Sequence, residues 1–180
     1  MLKITRILPS ENSASLSVED TGVVSVYRKS PAYVERLYWR ASPQSNDALL
    51  SLDISEVGEI INLELLTFGG EVRRGVMARP PSLYDDCEHI IWVSTECWHR
   101  PQAGGALKTA WRYVDEDLSV GLYLSTDSLC ITVGNVVPQT FVRMSSCLGF
   151  GLDEFQQINA FYLDGFVGMI RKKFESRYMH

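Results

Sequence analysis

The sequence predicts a mainly β protein: an antiparallel sandwich or half-barrel built of two similar halves, with a short C-terminal helix. Three observations carry that expectation. First, Leu50-Ser51-Leu52-Asp53-Ile54-Ser55-Glu56-Val57-Gly58-Glu59-Ile60-Ile61-Asn62-Leu63-Glu64-Leu65 aligns without a gap on Leu148-Gly149-Phe150-Gly151-Leu152-Asp153-Glu154-Phe155-Gln156-Gln157-Ile158-Asn159-Ala160-Phe161-Tyr162-Leu163, 98 positions further on. Apolar residues coincide at 50/148, 52/150, 54/152, 57/155, 60/158, 63/161 and 65/163, and Glu56 coincides with Glu154. Both copies alternate apolar and polar, break at a polar turn and resume, the pattern of a β-hairpin with one buried face. Second, the aromatic share of 11%, with four Trp and eight Tyr, suits pleated surfaces that flat side chains cover. Third, Phe166, Ile170, Phe174 and Tyr178 recur every four residues, as along one face of a short amphipathic helix.

The elements follow in order. Met1 to Pro9 alternates like a first strand. Val18, Val23, Val24 and Val26 around Asp20-Thr21-Gly22 predict a turn-linked strand pair over Leu16 to Tyr27. Ser30-Pro31 has the chemistry of a helix start, whereas Leu37-Tyr38-Trp39 favours a strand, which is expected from Arg36 onward. Ser42 to Asp47 is a loop leading into the first hairpin copy, which Phe68-Gly69-Gly70 ends. Arg79 to Ser82 opens an irregular middle, and Cys87 to Trp98 reads as a strand pair turning at Ser94-Thr95. Pro101-Gln102-Ala103-Gly104-Gly105 is a flexible connector and the expected seam, so residues 1–180 form one domain of pseudo-repeat halves, approximately 1–100 and 106–180. Leu107 to Val114, Leu118 to Leu124 and Leu129 to Val133 are short and strand-like. The terminal helix carries Arg171, Lys172, Lys173 and Arg177, cations that suit the dipole of its C-terminal end.

Composition narrows the function classes. A chain of 180 residues buries roughly 70% of its unfolded surface, enough to fold without disulfides or a metal. With 46% hydrophobic and 22% charged residues it is ordinarily globular. A net charge of −5 disfavours direct nucleic-acid binding, which needs clustered Lys and Arg, and favours a partner with a basic surface. The start of the chain lacks the apolar core and cleavage site of a signal peptide, and no apolar run approaches the roughly 20 residues that span a bilayer. Four Cys without close pairing then read as reduced thiols in a cytoplasmic protein that does not engage a membrane.

The sharpest chemical pattern is Cys87-x-His89 followed by Cys97-x-His99. On adjacent strands two such pairs would bring together two thiols and two imidazoles, a set that zinc accepts, although the spacing is not that of a known zinc module. A small zinc protein or hydrolase is therefore one alternative. A Cys–His nucleophilic pair can be drawn from the same residues, but no Gly-rich turn or strand-to-helix elbow flanks them. The carboxylate pairs Asp85-Asp86 and Asp153-Glu154 show no convergence on one cleft, and Gly149-x-Gly151 lacks the glycine spacing and following helix of a phosphate loop. No cofactor is called for. A β-sheet domain that binds a small ligand among aromatic side chains is a further alternative. Recognition is the preferred reading: Asp85, Asp86, Glu88, Asp115, Glu116 and Asp117 would steer a basic protein partner, and Trp92 and Trp98, with Trp111 nearby in sequence, would anchor it. The competing reading is that these Trp residues fill the core.

The pattern apolar-x-apolar-Asp-x-Ser-Glu-x-Gly-Glu-Ile-x-x-Leu-x-Leu, here Leu50 to Leu65, resembles a hairpin common in small bacterial immunity-type proteins. These neutralise the toxin domains of contact-dependent and other polymorphic toxin systems. Leu148 to Glu154 is similar to the same element in a looser form. The resemblance covers about a fifth of the chain, and many proteins of this kind are smaller and built on one hairpin set. It implies a non-enzymatic binding protein that occludes a toxin's active site or substrate surface, and it transfers no functional residue.

Overall fold

In the computed structural model, residues 1–10, 14–28, 35–45, 47–75, 77–82, 87–98 and 112–179 are described. Apolar–polar alternation becomes strand throughout them: β1 (Ile4–Pro9), β2 (Ala14–Val18), β3 (Val24–Arg28), β4 (Arg36–Ala41), β5 (Ala48–Ser55), β6 (Ile60–Phe68), β7 (Val72–Arg74), β8 (His89–Val93), β9 (Tyr113–Glu116), β10 (Val120–Leu124), β11 (Ser128–Val133), β12 (Thr140–Arg143), β13 (Leu148–Leu152) and β14 (Ile158–Asp164), followed by one helix, α1 (Gly168–Tyr178). The expected mainly β architecture with a C-terminal helix is what the chain adopts.

The two repeat copies are hairpins of one register. Leu50 pairs with Leu65, Leu52 with Leu63, Asp53 with Asn62 and Ile54 with Ile60. The counterparts pair identically: Leu148 with Leu163, Phe150 with Phe161, Gly151 with Ala160 and Leu152 with Ile158. Even the irregularity recurs, between Asp53 and Ile54 and again between Gly151 and Leu152. Each turn closes with the same bonds. The Ser55 N–H donates to Glu59 O (2.8 Å) and the Gly58 N–H to Ser55 O (2.8 Å); the Asp153 N–H donates to Gln157 O (3.0 Å) and the Gln156 N–H to Asp153 O (3.1 Å). This is a three-residue loop whose last residue is left-handed, filled by Gly58 (φ 92°) in one copy and Gln156 (φ 60°) in the other.

The repeat extends beyond the hairpins. One six-stranded sheet has the order β2-β3-β6-β5-β4-β9 and the other β12-β13-β14-β11-β10-β7. Reading outward from each hairpin, β3 and β2 therefore occupy the places of β11 and β10, and β4 that of β12. The outermost strands break the antiparallel rule, since β9 runs parallel to β4 and β7 parallel to β10. One apolar cluster draws on both sheets, including Leu50, Leu52, Ile54 and Leu63 from the first and Leu122, Ile131, Phe150 and Phe161 from the second. Each such fully buried side chain contributes about 1.5–3 kcal/mol of transfer free energy.

The third sheet is β1 paired with β8, and it ties the halves together crosswise. Ile4 N–H donates to Gln156 O (3.0 Å) at the tip of the second hairpin, and Val93 N–H donates to Gly58 O (2.8 Å) at the tip of the first. Lys3 bridges Gln157 and Trp92 bridges Glu59, again 98 positions apart on the hairpin side. β1 thus meets the tip of the second hairpin and β8 the tip of the first. The expected seam at 101–105 lies outside the described residues.

Two other expectations change. Cys87 to Trp98 does not form its own strand pair: β1 takes one edge of β8 (Ile7 opposite Ile91, Pro9 opposite His89), and Glu96–Trp98 is a 3-10 turn. The helix begins at Gly168 and not at Phe166, because Gly165 (φ 74°) and Gly168 (φ 58°) turn the chain. Phe166 still packs edge-on against Phe174 (centroids 5.2 Å apart), and Lys173 reaches Asp20 (2.7 Å), seating α1 on the β2–β3 turn.

Candidate binding surface

The crosswise arrangement decides what faces solvent. Gly58 and Gln156 are each pinned by a backbone bond, so the residue before each projects outward: Val57 is 76% exposed and Phe155 64%. Exposed Glu56 and Glu154 precede them. An apolar side chain beside a carboxylate therefore stands at the same place on both tips. Sequence reasoning counted 57/155 among the matched apolar positions of a buried face; the loop geometry turns them out instead. The available signal was an apolar residue inside an otherwise polar turn.

Between the tips runs the outer side of the β1–β8 ribbon. Trp92 is half-buried, pairs with Arg6, and carries the Arg6 guanidinium 5.1 Å from its ring centroid. Leu8, 38% exposed, stands opposite half-buried Ile90. On the flank, Arg28 pairs with Glu59 (2.7 Å), and a hydrogen bond with Glu35 pushes the Glu56 carboxyl up. The ribbon that carries Trp92 and Arg6 is thus joined through its backbone to the tips that carry Val57 and Phe155. Trp and Arg are side chains enriched at binding hot spots.

The remaining residues proposed from sequence are placed elsewhere. Trp98 is 4% exposed and its indole N–H donates to Arg112 O (3.2 Å), so it is a core side chain and leaves the surface set. Parallel pairing of β9 with β4 sets Asp115 opposite Arg40, and the two form a forked ion pair (2.5 and 2.8 Å) beside the stacked Tyr38 and Tyr113 rings (4.9 Å). Glu116 pairs with the N-terminal ammonium. Asp117 accepts from the backbone and side-chain amides of Gln44 (3.0 and 2.7 Å). Glu88 Oε1 accepts from the Ser146 N–H (2.6 Å). These carboxylates are thus partly offset by internal partners. Asp85, Asp86 and Trp111 lie outside the described residues.

Cys87 and Cys97 do not sit on neighbouring strands. Cys87 Sγ lies 3.5 Å from His89 Nε2. Cys97 sits past the other end of β8, where burial and then Glu116 push its thiol up. The five-residue strand β8, about 13 Å long, lies between them. His99 lies outside the described residues, and among those described no group of three or more His, Cys, Asp and Glu side chains is placed to hold a metal ion. As for the small-ligand alternative, the space between the sheets is filled by the shared apolar cluster. A groove of about 380 Å³ lies instead on the outside, lined in part by Phe68, Arg73, Tyr123, Thr132 and Val137. Among the described residues no helix is long and apolar enough to cross a membrane.

In comparisons with known proteins, no family model and no curated protein matches the chain.

Proposed function

We propose that the chain is a non-enzymatic binding protein of the cytoplasm that grips and neutralises a basic protein partner, a toxin domain being the class its hairpin pattern resembles. The observation that supports this reading is the repeated tip: Glu56-Val57 and Glu154-Phe155 stand exposed on two hairpins that are locked in place by β8 and β1. Rigid, solvent-facing apolar side chains give up little conformational freedom on docking, and flanking carboxylates speed the approach of a cationic partner. Trp92 and Arg6 supply the centre of the contact, where desolvation slows release. The acidic residues Glu88, Asp115, Glu116 and Asp117 act at longer range, weakened by their internal partners.

The test is co-purification from the source cells with tagged wild-type chain and with a Val57→Asp, Phe155→Asp double variant whose melting is checked first. The reading expects a basic protein, toxic when expressed alone, in stoichiometric yield with wild type and lost with the variant. Equal recovery by both chains rejects the tips; a recovered partner without toxicity rejects neutralisation.

A further inference from the structure

We propose that Cys87 is a nucleophilic thiol served by His89 as general base, and that it exchanges with low-molecular-weight disulfides to form a mixed disulfide on this chain. The geometry of the imidazole carries the inference. His89 is 3% exposed, and its Nδ1 lies 3.0 Å from the carbonyl oxygen of Arg143. A carbonyl oxygen only accepts, so Nδ1 carries a proton, and Nε2 is the ring nitrogen turned towards the thiol. That nitrogen is 3.5 Å from Cys87 Sγ. The thiol therefore faces a ring that a third group orients, which is the arrangement of an activated nucleophile, its base and the base's orienter.

The backbone around the pair is held on both sides. The His89 N–H donates to Met144 O (3.3 Å), the Ser10 N–H to Glu88 O (2.8 Å), and the Glu88 carboxylate receives Ser146 N–H (2.6 Å). The base is thus fixed by β1 and by the β12–β13 turn, while the sulfur it serves is exposed. The other three cysteines differ. Burial pushes the Cys130 thiol up to about 12, and burial also raises Cys97 and Cys147. Reactivity follows access, and Cys87 is the one exposed thiol of the four.

The step balances without an external oxidant. As Cys87 Sγ attacks one sulfur of R–S–S–R, its proton passes to His89 Nε2. The S–S bond breaks, the Cys87 S–S–R bond forms, and the departing R–S⁻ takes the proton back from Nε2. The adduct stands at the entry to β8, outside the core, so the fold survives it.

The experiment uses the native chain and dithiobis(nitrobenzoate), itself a disulfide, whose released thiolate is coloured. One equivalent is expected to react at least about tenfold faster than the thiols of the same chain in guanidinium, since a positioned base accelerates proton transfer by about 10² or more. Peptide mass mapping should place the adduct on Cys87, Cys87→Ser should abolish only that phase, and His89→Gln should slow it about tenfold or more. Should buried His89→Gln fail to fold, the native rate and the mapping still decide. The proposal is overturned if no thiol of the native chain outruns those of the unfolded chain, if the fast adduct maps to Cys97, Cys130 or Cys147, or if a folded His89→Gln reacts at the wild-type rate.

Discussion

On its outer face the first hairpin carries Ser51, Asp53, Asn62 and Glu64, where the second carries Gly149, Gly151, Ala160 and Tyr162. The hydrogen-bonded frames are the same, so the difference lies wholly in what each side chain meets. In the second half Phe141 lies over Gly149, where an added Cβ would stand 2.2 Å from its ring. Phe141, Tyr162, Cys130 and Ala160 form a second apolar cluster with Met77 and Tyr123 packed against it. Arg79 covers it, 4.6 Å over the Phe141 ring and paired with Asp164 (2.6 Å). In the first half the place of Phe141 belongs to Tyr38, opposite Asp53, and that of Arg143 to Arg40, opposite Ser51. There Asp53 is 5% exposed and paired with Arg36 (2.8 Å). One backbone thus supports a greasy outer face that the chain covers itself and a polar one held by ion pairs and hydrogen bonds. Register is set by the inner face, and the outer face is free to diverge.

The strongest way to break the comparison is through the shared inner face. Leu52 and Phe150 are equivalent and both fully buried. Leu52→Ala and Phe150→Ala should each cost about 3–5 kcal/mol in chemical denaturation, with a single transition in both, because one core serves both halves. Two separated transitions, or a variant that melts only one half, would show independent units.

A smaller effect of opposite sign at the two tips sharpens it. Gly58→Ala forces a Cβ into the left-handed region and to 2.4 Å from Val93 O, a loss of at least about 1–2 kcal/mol. Gln156→Gly relieves a left-handed side chain (φ 60°) and should gain about 0.5–1 kcal/mol. Thermal melts of both variants check this, and equal signs would contradict the shared turn.

The smallest effect is in pH dependence and belongs to the first half alone, since Gly151 replaces Asp53 in the second. Burial pushes the Asp53 carboxyl above its usual 3.8 despite the Arg36 ion pair and a hydrogen bond from Asn62. The folded state therefore takes up this proton before the unfolded state does. Stability from Asp53 rises as pH falls through its folded range and is lost as pH rises. Against Asp53→Asn, wild type should gain relative stability as pH falls from neutral towards the usual 3.8, the reverse of an ordinary salt-bridged carboxylate. Paired denaturation curves decide the sign.

Both hairpins, the β2–β3 pair, β4 from Arg36 and the final helix were legible because their signals are local: alternation, turn residues, a spacing of four. The crosswise β1–β8 sheet and the parallel β4–β9 and β7–β10 pairs were not. Those depend on which distant edge is left open, and Ile4 or Val93 looks the same in sequence whichever hairpin tip it binds. The surface was legible only in part. Trp92 faces outward and Trp98 inward although both stand among similar neighbours, because β1 claims one side of β8 and a 3-10 turn buries the other indole. Asp115 to Asp117 read as free charge, since nothing local announces Arg40, Gln44 or the N-terminus as partners.

The most direct test of the tip surface is amide hydrogen exchange on the chain with and without its captured partner. Slower exchange at residues 55–59 and 153–157, together with β1 and β8, is the predicted outcome. Protection centred on Asp115 to Asp117 with both tips unchanged would contradict it.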